Sequence, residues 1–158
     1  MQLIAILHDI RSVHNVGSIF RTADGTGIEK LYLCGITPAP IDRFKKIRPD
    51  FAKVALGAEK NVTWESALDT SVLIKKLKQE GWKILSLEQS KRSIPYYRVS
   101  DIKSNGQKVA LVVGNEVEGI PSSILKLSDA IIEIPMSGNK ESLNVSVAFG
   151  IAAYRLRY

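Results

Sequence analysis

Short apolar runs of strand length alternate with helical patterns along this chain, and this alternation restricts its fold more than any other feature. The runs typical of strands lie at residues 3–9, 30–35, 82–87, 108–113 and 130–134. The patterns typical of helices lie at residues 15–23, 71–80, 122–128 and 143–158. Because strands that alternate with helices pair in parallel, the sequence predicts an α/β fold with a parallel sheet. Its ligand site is expected beyond the carboxyl ends of the strands.

The length of 158 residues predicts a single domain, covering residues 1–158. A chain of this size buries roughly 70% of the surface that its unfolded form exposes, so its core needs no disulfide or metal. The single cysteine, Cys34, lies in an apolar run and is predicted to be a core residue. No apolar stretch reaches the roughly 18 residues of a membrane span, and the first residues have no signal-peptide pattern. We therefore expect a cytoplasmic protein with no membrane partner.

The net charge of +6 comes from the middle of the chain. Residues 1–39 and 109–158 are close to neutral, whereas residues 40–108 carry fifteen basic and eight acidic side chains. Clustered Lys and Arg are typical of proteins that bind RNA, although a solvated basic surface has the same composition. Within this region, residues 36–59 contain three prolines and five basic residues. They are predicted to form a long basic loop in which a short helix is allowed, and loops of this length are usually functional or disordered.

Three polar segments follow predicted strands and are candidates for chemistry. They span residues 14–27, 112–121 and 134–146, with the sequences HNVGSIFRTADGTG, VVGNEVEGIP and IPMSGNKESLNVS. In the first segment, Asn15 can cap a helix, and Arg21 offers five N–H donors to a phosphate. Gly114 permits a backbone turn in the second, and Ser142 lies at a helix start in the third. Each segment alone is equally compatible with a capped helix or a tight turn that has no further role.

Several enzyme classes lack the residues that they need in this sequence. There is no GxGxxG or GxxxxGK[ST] segment to hold a nucleotide, no GxSxG elbow and no metal-ligand spacing. The two histidines, His8 and His14, belong to no visible triad, and His14 is predicted to be a helix-entry residue. The sequence therefore predicts no metal site and gives no support to a zinc or serine hydrolase.

Taken together, the order and spacing of the three segments resemble the SpoU, or TrmH, family of RNA ribose methyltransferases within the SPOUT superfamily. The family's first motif is matched by NVGSIFRTADGTG with KLYLCG, its second by ALVVGNEVEGIP and its third by IIEIPMSGNKESLNVSVAFGIAAYRL. The resemblance implies a SPOUT fold whose C-terminal segment forms a deep trefoil knot, a rare exception among protein chains. It also implies a homodimer that uses S-adenosyl-L-methionine. The terminal helix, apolar on almost every side, would then have the cover that it needs.

The resemblance also implies which residues form the site, by their match to the family's motifs. The candidate catalytic residues are Asn15, Arg21, Glu116, Ser142 and Asn144. The candidate cofactor residues are Leu87, Gly114, Ile134, Met136, Ser142 and Leu143.

The implied reaction transfers a methyl group to a ribose 2'-hydroxyl, with tRNA favoured over ribosomal RNA as the substrate. It requires alignment of the hydroxyl with the methyl group and removal of one proton. Arg21 is often given the role of base in this family, but arginine stays protonated in proteins. We therefore expect Arg21 to hold the target phosphate and orient the hydroxyl, with a phosphate oxygen or water accepting the proton. A non-catalytic RNA-binding relative and a nucleotide-binding oxidoreductase are the alternatives.

Many members of the family carry an additional RNA-binding domain, whereas this sequence begins at the first strand of the motif-bearing part. We therefore expect basic residues on the surface of a dimer to recognise the RNA. The candidates are Arg21, Arg43, Lys45, Lys46, Arg48, Lys53, Lys91 and Arg92, with Arg98 nearby in sequence. Phe44, Tyr96 and Tyr97 are candidates for stacking on unpaired bases, although core packing is at least as well supported for the tyrosines.

Overall fold

Seven strands and six helices form the part of the chain that the computed structural model describes, residues 1–101 and 107–158. The strands are β1 (Gln2–His8), β2 (Lys30–Cys34), β3 (Trp64–Ala67), β4 (Trp82–Leu87), β5 (Ile94–Pro95), β6 (Lys108–Val113) and β7 (Ala130–Glu133). The helices are α1 (Val13–Thr26), α2 (Pro49–Ala55), α3 (Ala58–Asn61), α4 (Thr70–Gln79), α5 (Ser122–Leu125) and α6 (Val145–Arg157). A 3₁₀ helix covers Tyr96–Asp101. None of the helices in these ranges has the length and apolar character needed to cross a membrane.

The strands form a single parallel sheet in the order β3-β2-β1-β6-β4-β7-β5. β1 lies between β2 and β6, with Gln2 opposite Lys108 and Leu7 opposite Val113. The predicted parallel α/β sheet is therefore confirmed. Because every strand is parallel, the carboxyl ends of β1, β4, β6 and β7 lie along one edge of the sheet, where a ligand site is expected.

Helices cover both faces of the sheet, which explains why β1 and β6 are almost continuously apolar. On one face, α1, α2, α3, α6 and the 3₁₀ helix form a layer in which α1 packs on both α2 and α6. On the opposite face, α4 and α5 cover the sheet. The predicted amphipathic pattern of α4 is confirmed, since Leu73, Ile74 and Leu77 are buried there.

The long loop predicted at residues 36–59 is shorter than expected, because α2 and α3 occupy its second half. α2 begins at Pro49, whose fixed φ suits the first turn of a helix. It buries Phe51, whose ring meets that of Phe20 on α1 edge-on at 5.1 Å. Gly17 permits this approach of α1 to α2, since a Cβ there would lie 3.0 Å from the Cβ of Val54. Residues of this segment are therefore helical because they pack against α1, although the prolines and charges of the segment suggested a loop.

Strands β3 and β5 are absent from the sequence-based prediction, and both lie at the edges of the sheet. Within the described residues, β3 pairs with β2 alone, and two of its four residues, Glu65 and Ser66, are exposed. In the same part of the chain, β5 has two residues and pairs with β7 alone. Edge strands this short have little apolar periodicity, so their pairing partner rather than their sequence determines their conformation.

Candidate cofactor and RNA site

An open cavity of about 200 Å³ lies at the carboxyl ends of β4, β6 and β7. All six residues predicted to contact the cofactor line it: Leu87, Gly114, Ile134, Met136, Ser142 and Leu143. Beyond the predicted cofactor and catalytic residues, the lining includes Asn115, a polar residue of the second segment, and Glu88, Gln89, Val113, Glu133, Val145 and Ala148. Leu87 and Glu133 end their strands, so their position at the carboxyl edge follows from the topology. The structure thus brings the predicted cofactor residues together, while their role remains a prediction.

The turn after β6 closes one wall of the cavity through its own backbone. The amide of Gly119 donates to the carbonyl oxygen of Asn115 at 3.0 Å, and the Asn115 side-chain oxygen accepts from the amides of Val117 and Glu118. A Cβ on Gly114 would lie 2.6 Å from the backbone carbon and oxygen of Gly119. Only glycine therefore fits at position 114 without moving the turn.

Two side chains directly after β4 bind this turn and the segment that precedes α6. The Glu88 carboxylate accepts from the amide of Ile120 at 2.8 Å. The Gln89 Nε2 donates to the carbonyl oxygen of Glu141 at 2.6 Å. Because both residues directly follow β4, they hold the second and third motif segments around the cavity. No pattern in the sequence identified Glu88 or Gln89.

A chain of hydrogen bonds joins the three motif segments beside the cavity. The Glu116 carboxylate accepts from the amides of Arg11 and Ser12 and, at 2.9 Å, from the side-chain Nδ2 of Asn15. The Asn15 Oδ1 in turn accepts from the Nδ2 of Asn144 at 3.0 Å. Asn15, Glu116 and Asn144, three of the predicted catalytic residues, therefore form one network.

The caps of α1 and α6 differ from those that the sequence suggested. Ser12 rather than Asn15 caps α1, because the Ser12 hydroxyl accepts from the amide of Asn15 at 3.2 Å. Asn144 rather than Ser142 caps α6, through the amide of Ser146 at 2.9 Å. Capping by Ser12 leaves the Asn15 side chain for Glu116, which explains how a helix-start residue contributes to the site instead.

The network also shifts the ionisation of Glu116. Partial burial by itself would raise the pKa of the Glu116 carboxyl, since it disfavours the charged form. The hydrogen bonds from Arg11, Asn15 and Ser12 outweigh this effect and leave the pKa below its ordinary value. Glu116 is therefore a carboxylate at neutral pH and acts as an acceptor that holds the start of α1, rather than as a proton donor.

Arg21 lies apart from this network on the outer side of α1. It is exposed, it is not among the residues that line the cavity, and its side chain forms no hydrogen bond or ion pair within residues 1–101 and 107–158. His14 is exposed seven residues earlier, which places it on the same face of the helix. A single copy of the chain therefore does not bring Arg21 into the cavity, which Glu116, Ser142 and Asn144 line, or into hydrogen bonding with Asn15.

Most of the predicted RNA-binding residues lie on two loops, one after β2 and one after β4, at the carboxyl edge of the sheet. Arg43, Lys45 and Lys46 are exposed between β2 and α2, and Lys91 and Arg92 are exposed after β4. Lys53 is exposed on α2, whereas Arg48 is partly buried in an ion pair with Asp50 at 2.8 Å. Tyr97 is exposed and Tyr96 is half-buried.

The basic middle of the chain is divided between the two faces of the fold. Lys75, Lys76 and Lys78 lie on α4, on the face opposite α1 and α2. Lys78 is engaged with Asp129 at 2.8 Å. In the sequence these basic residues form one region. In the fold, the sheet separates the lysines of α4 from the candidate site.

The remaining reactive side chains of the sequence analysis lie outside the cavity. Cys34 is fully buried, as predicted, and burial raises the pKa of its thiol to about 11. His8 Nδ1 lies 2.8 Å from the hydroxyl oxygen of Thr70, on the side of the sheet covered by α4. Among the described residues, no three His, Cys, Asp or Glu side chains come close enough together to hold a metal ion.

The model of the SpoU rRNA Methylase family matches residues 2–154 of the chain. This chain belongs to the SpoU family. The resemblance found in the three motifs is therefore confirmed, and the SpoU relationship extends over the whole sheet, over α1 to α5 and over most of α6, rather than over the motifs alone.

Known SpoU proteins similar to this chain differ in the RNA that they are named for. It is 33% identical over 153 residues to a 23S rRNA (guanosine-2'-O-)-methyltransferase, RlmB, of Ralstonia nicotianae, covering 96% of this chain and 57% of the relative. It is 32% identical over 152 residues to a tRNA (guanosine(18)-2'-O)-methyltransferase of Aquifex aeolicus, covering 96% of this chain and 67% of the relative. The chain thus spans little more than half of the first relative and two thirds of the second.

The fold is also similar to that of solved SpoU-type enzymes. The structure of an AdoMet-bound rRNA methyltransferase from Sinorhizobium meliloti superposes with a TM-score of 0.87 at 27% identity, covering 99% of this chain and 56% of that one. The parallel sheet therefore has the SPOUT methyltransferase architecture.

Proposed function

We propose that this protein transfers a methyl group from S-adenosyl-L-methionine to a ribose 2'-hydroxyl of RNA. The observation that carries the proposal is the hydrogen-bonded network of Glu116, Asn15 and Asn144 at the rim of the cavity. It joins the three motif segments at the one edge of the sheet where an α/β protein binds ligands. The relatives named as RNA 2'-O-methyltransferases support the same activity.

The cavity fits the proposed cofactor in charge and in chemistry. Its lining includes the carboxylates of Glu88, Glu116 and Glu133, and among the described residues that line it none is basic. That charge suits a sulfonium cation, while Leu87, Ile134, Met136 and Leu143 offer apolar contacts to a nucleoside. When bound, the cofactor supplies an electrophilic methyl group. The AdoMet-bound neighbour supports this choice.

In the proposed reaction, the side chains of this protein align the nucleophile. Arg21 holds a phosphate of the RNA with its forked N–H donors and so orients the adjacent 2'-hydroxyl. Glu116 and Asn15 fix the start of α1, the helix that carries Arg21. The hydroxyl proton goes to a phosphate oxygen or to water, since arginine stays protonated.

A homodimer completes this proposal, because Arg21 lies outside the cavity of its own chain. Val147, Tyr154 and Tyr158 form an exposed stripe along α6, and the rings of the two tyrosines stack 6.0 Å apart. α6 packs beside α1, so a second copy seated on this stripe would approach the helix that carries Arg21. The trefoil knot of the C-terminal segment also belongs to the proposal and rests on the family relationship.

We place tRNA ahead of ribosomal RNA as the substrate. This choice rests on the Aquifex tRNA enzyme, two thirds of whose length the chain spans, against 57% for the Ralstonia rRNA enzyme. Their sequence identities to this chain are nearly equal, so ribosomal RNA is the second candidate.

Labelled methyl transfer to total RNA from a deletion strain tests the activity. The RNA is separated into tRNA and ribosomal fractions, digested and analysed as nucleosides. We expect the label on the ribose 2'-oxygen of tRNA. Label on a base would refute the 2'-O assignment. Label on ribosomal RNA instead of tRNA would show that ribosomal RNA is the substrate. RNA binding without any transfer would favour the non-catalytic alternative.

A further inference from the structure

The loop between β2 and α2 ends in a short, ordered hairpin formed by residues 41–47, which we call the hairpin tip. Ile41 and Ile47 form an antiparallel bridge at its base. The amide of Asp42 donates to the carbonyl oxygen of Lys46 at 2.9 Å, and the amide of Lys45 donates to the carbonyl oxygen of Asp42 at 3.0 Å. The backbone of this exposed segment is therefore held by its own hydrogen bonds.

The side chain of Asp42 organises the hairpin tip further. Its Oδ1 accepts from the amide of Phe44 at 2.8 Å and from the amide of Lys46 at 2.9 Å. Lys45 adopts a left-handed backbone with φ of 60°, which turns the chain back towards Ile47. These contacts order the tip before any ligand binds, and a preordered loop loses less entropy on binding.

The hairpin tip displays one aromatic ring among three positive charges. Phe44 is 67% exposed, an unusual position for a large apolar side chain. The guanidinium of Arg43 lies 4.7 Å from the centre of its ring, and Lys45 and Lys46 are exposed beside it. Arg43 therefore supports one face of the ring, and the high exposure of Phe44 leaves the other face accessible.

An accessible ring flanked by cations matches the chemistry of an unpaired nucleotide. Bases in a duplex stack on each other and cannot reach a protein ring, whereas bases in loops and bulges are free to do so. Stacking on an aromatic side chain holds the base, and neighbouring Lys and Arg hold its phosphates. A protein partner that complements these positive charges would be acidic, but its binding would not require an accessible ring face beside three cations.

We propose that the hairpin tip binds an unpaired nucleotide of the RNA substrate by stacking its base on Phe44, with Lys45 and Lys46 contacting the adjacent phosphates. This inference rests on the proposed function and adds that the substrate class is RNA with a loop or bulge. The tip leads directly into α2, which packs against α1, the helix that carries Arg21. RNA held at the tip therefore lies on the same helical layer as the proposed target site.

Binding of two synthetic RNAs tests this inference with the full chain. One RNA is a hairpin with an unpaired loop, and the other is a blunt duplex with the same number of phosphates. Fluorescence anisotropy gives the dissociation constants. We expect Phe44→Ala to weaken binding of the hairpin roughly 5- to 150-fold, the loss of one stacked base, and to leave the duplex unchanged. Phe44→Trp should bind the hairpin at least as tightly as the parent.

Two further variants separate stacking from charge and from general apolar exposure. Lys46→Ala should lower the salt dependence of hairpin binding by about 0.7 in the log–log slope, whereas Phe44→Ala should leave that slope unchanged. Leu68→Ala is the matched control, because Leu68 is 98% exposed and lies beyond β3. It should bind both RNAs as the parent does.

The outcomes distinguish this inference from the proposed function. If Phe44→Ala weakens binding of the hairpin and of the duplex equally, or of neither, the inference is overturned. If Phe44→Ala instead changes the oligomeric state in analytical ultracentrifugation, the ring belongs to a contact between copies of the chain. With active enzyme, Phe44→Ala should raise the KM for RNA and spare kcat. Hairpin binding that depends on Phe44 without methyl transfer to any RNA would refute the proposed function alone.

Discussion

The cavity at the ends of β4, β6 and β7 and the hairpin tip between β2 and α2 are built in opposite ways. In the cavity wall, the polar groups of the turn after β6 are satisfied by one another, and Gly114 has no room for a Cβ. In the hairpin tip, the backbone is satisfied while Arg43, Phe44, Lys45 and Lys46 remain exposed. The cavity therefore depends on backbone shape, and the tip depends on side chains.

This difference predicts that the two binding events can be impaired separately. A substitution that changes the shape of the cavity should weaken binding of the small ligand. A substitution that removes a charge or an aromatic ring from the outer surface should weaken binding of RNA. Glu116 and Asn144 line the cavity, and their hydrogen bonds to Asn15 link its rim to α1.

Arg21→Ala should give the largest effect and should affect transfer alone. Loss of the group that positions the hydroxyl is expected to slow methyl transfer by at least about 100-fold, while the affinity for S-adenosylhomocysteine stays within about twofold. Single-turnover kinetics and calorimetry measure the two quantities. Arg21→Lys keeps the charge but loses the fork, and Lys83→Ala is the control on an exposed basic residue of β4. An active Arg21→Ala enzyme would contradict the proposed role.

Gly114→Ala should have the converse effect. Its Cβ would overlap the backbone of Gly119, so the turn must shift, at a cost of about 1–3 kcal/mol. We expect S-adenosylhomocysteine to bind roughly 5- to 150-fold more weakly in calorimetry, with RNA binding retained. Gly138→Ala is the matched control, because nothing lies within 4 Å of the added Cβ. Equal binding by both variants would show that the turn is not part of the ligand site.

Asn144→Ala should destabilise the protein by about 1 kcal/mol, because it removes the cap of α6 and the partner of Asn15. Urea unfolding gives the change in free energy. Ser137→Ala, at an exposed position of the same segment, is the control and should unfold as the parent does. If Asn144→Ala has the same free energy of unfolding as the parent, the network contributes nothing to the stability of the fold.

Glu116→Gln should have the smallest effect, and the effect should depend on pH. Because folding lowers the pKa of Glu116, its carboxylate stabilises the fold above the unfolded-state pKa, about 4.3, and this contribution is lost as the pH falls through the folded-state value. The variant should therefore be less stable than the parent at pH 7, and the difference should shrink towards about pH 3.

Urea midpoints at both pH values measure this dependence. Glu118→Gln is the matched control, since it removes the same charge from the same turn and keeps the bonds to Arg11, Ser12 and Asn15. A constant difference between Glu116→Gln and the parent across this range would contradict the role given to the carboxylate.

Much of the sheet is readable from the sequence because β1 and β6 are long, apolar and central. The same patterns fail at β3 and β5, which are short edge strands, and at α2, whose helix depends on packing of Phe51 against Phe20. In the site, the motifs identified Asn15, Glu116 and Asn144, but no pattern pointed to Glu88 or Gln89. Those two acquire their place only because β4 ends beside the turn that follows β6.

The sequence by itself determined the parallel α/β class, the SpoU relationship and the six predicted cofactor residues that line the cavity, because local apolar patterns and short motifs carry that information. Tertiary structure alone decided the rest. The bonds from Asn15 to Glu116 and Asn144 span 101 and 129 residues, and they form because parallel strands end at one edge of the sheet. The sheet also separates the lysines of α4 from the hairpin tip, so a single basic region of the sequence became two surfaces.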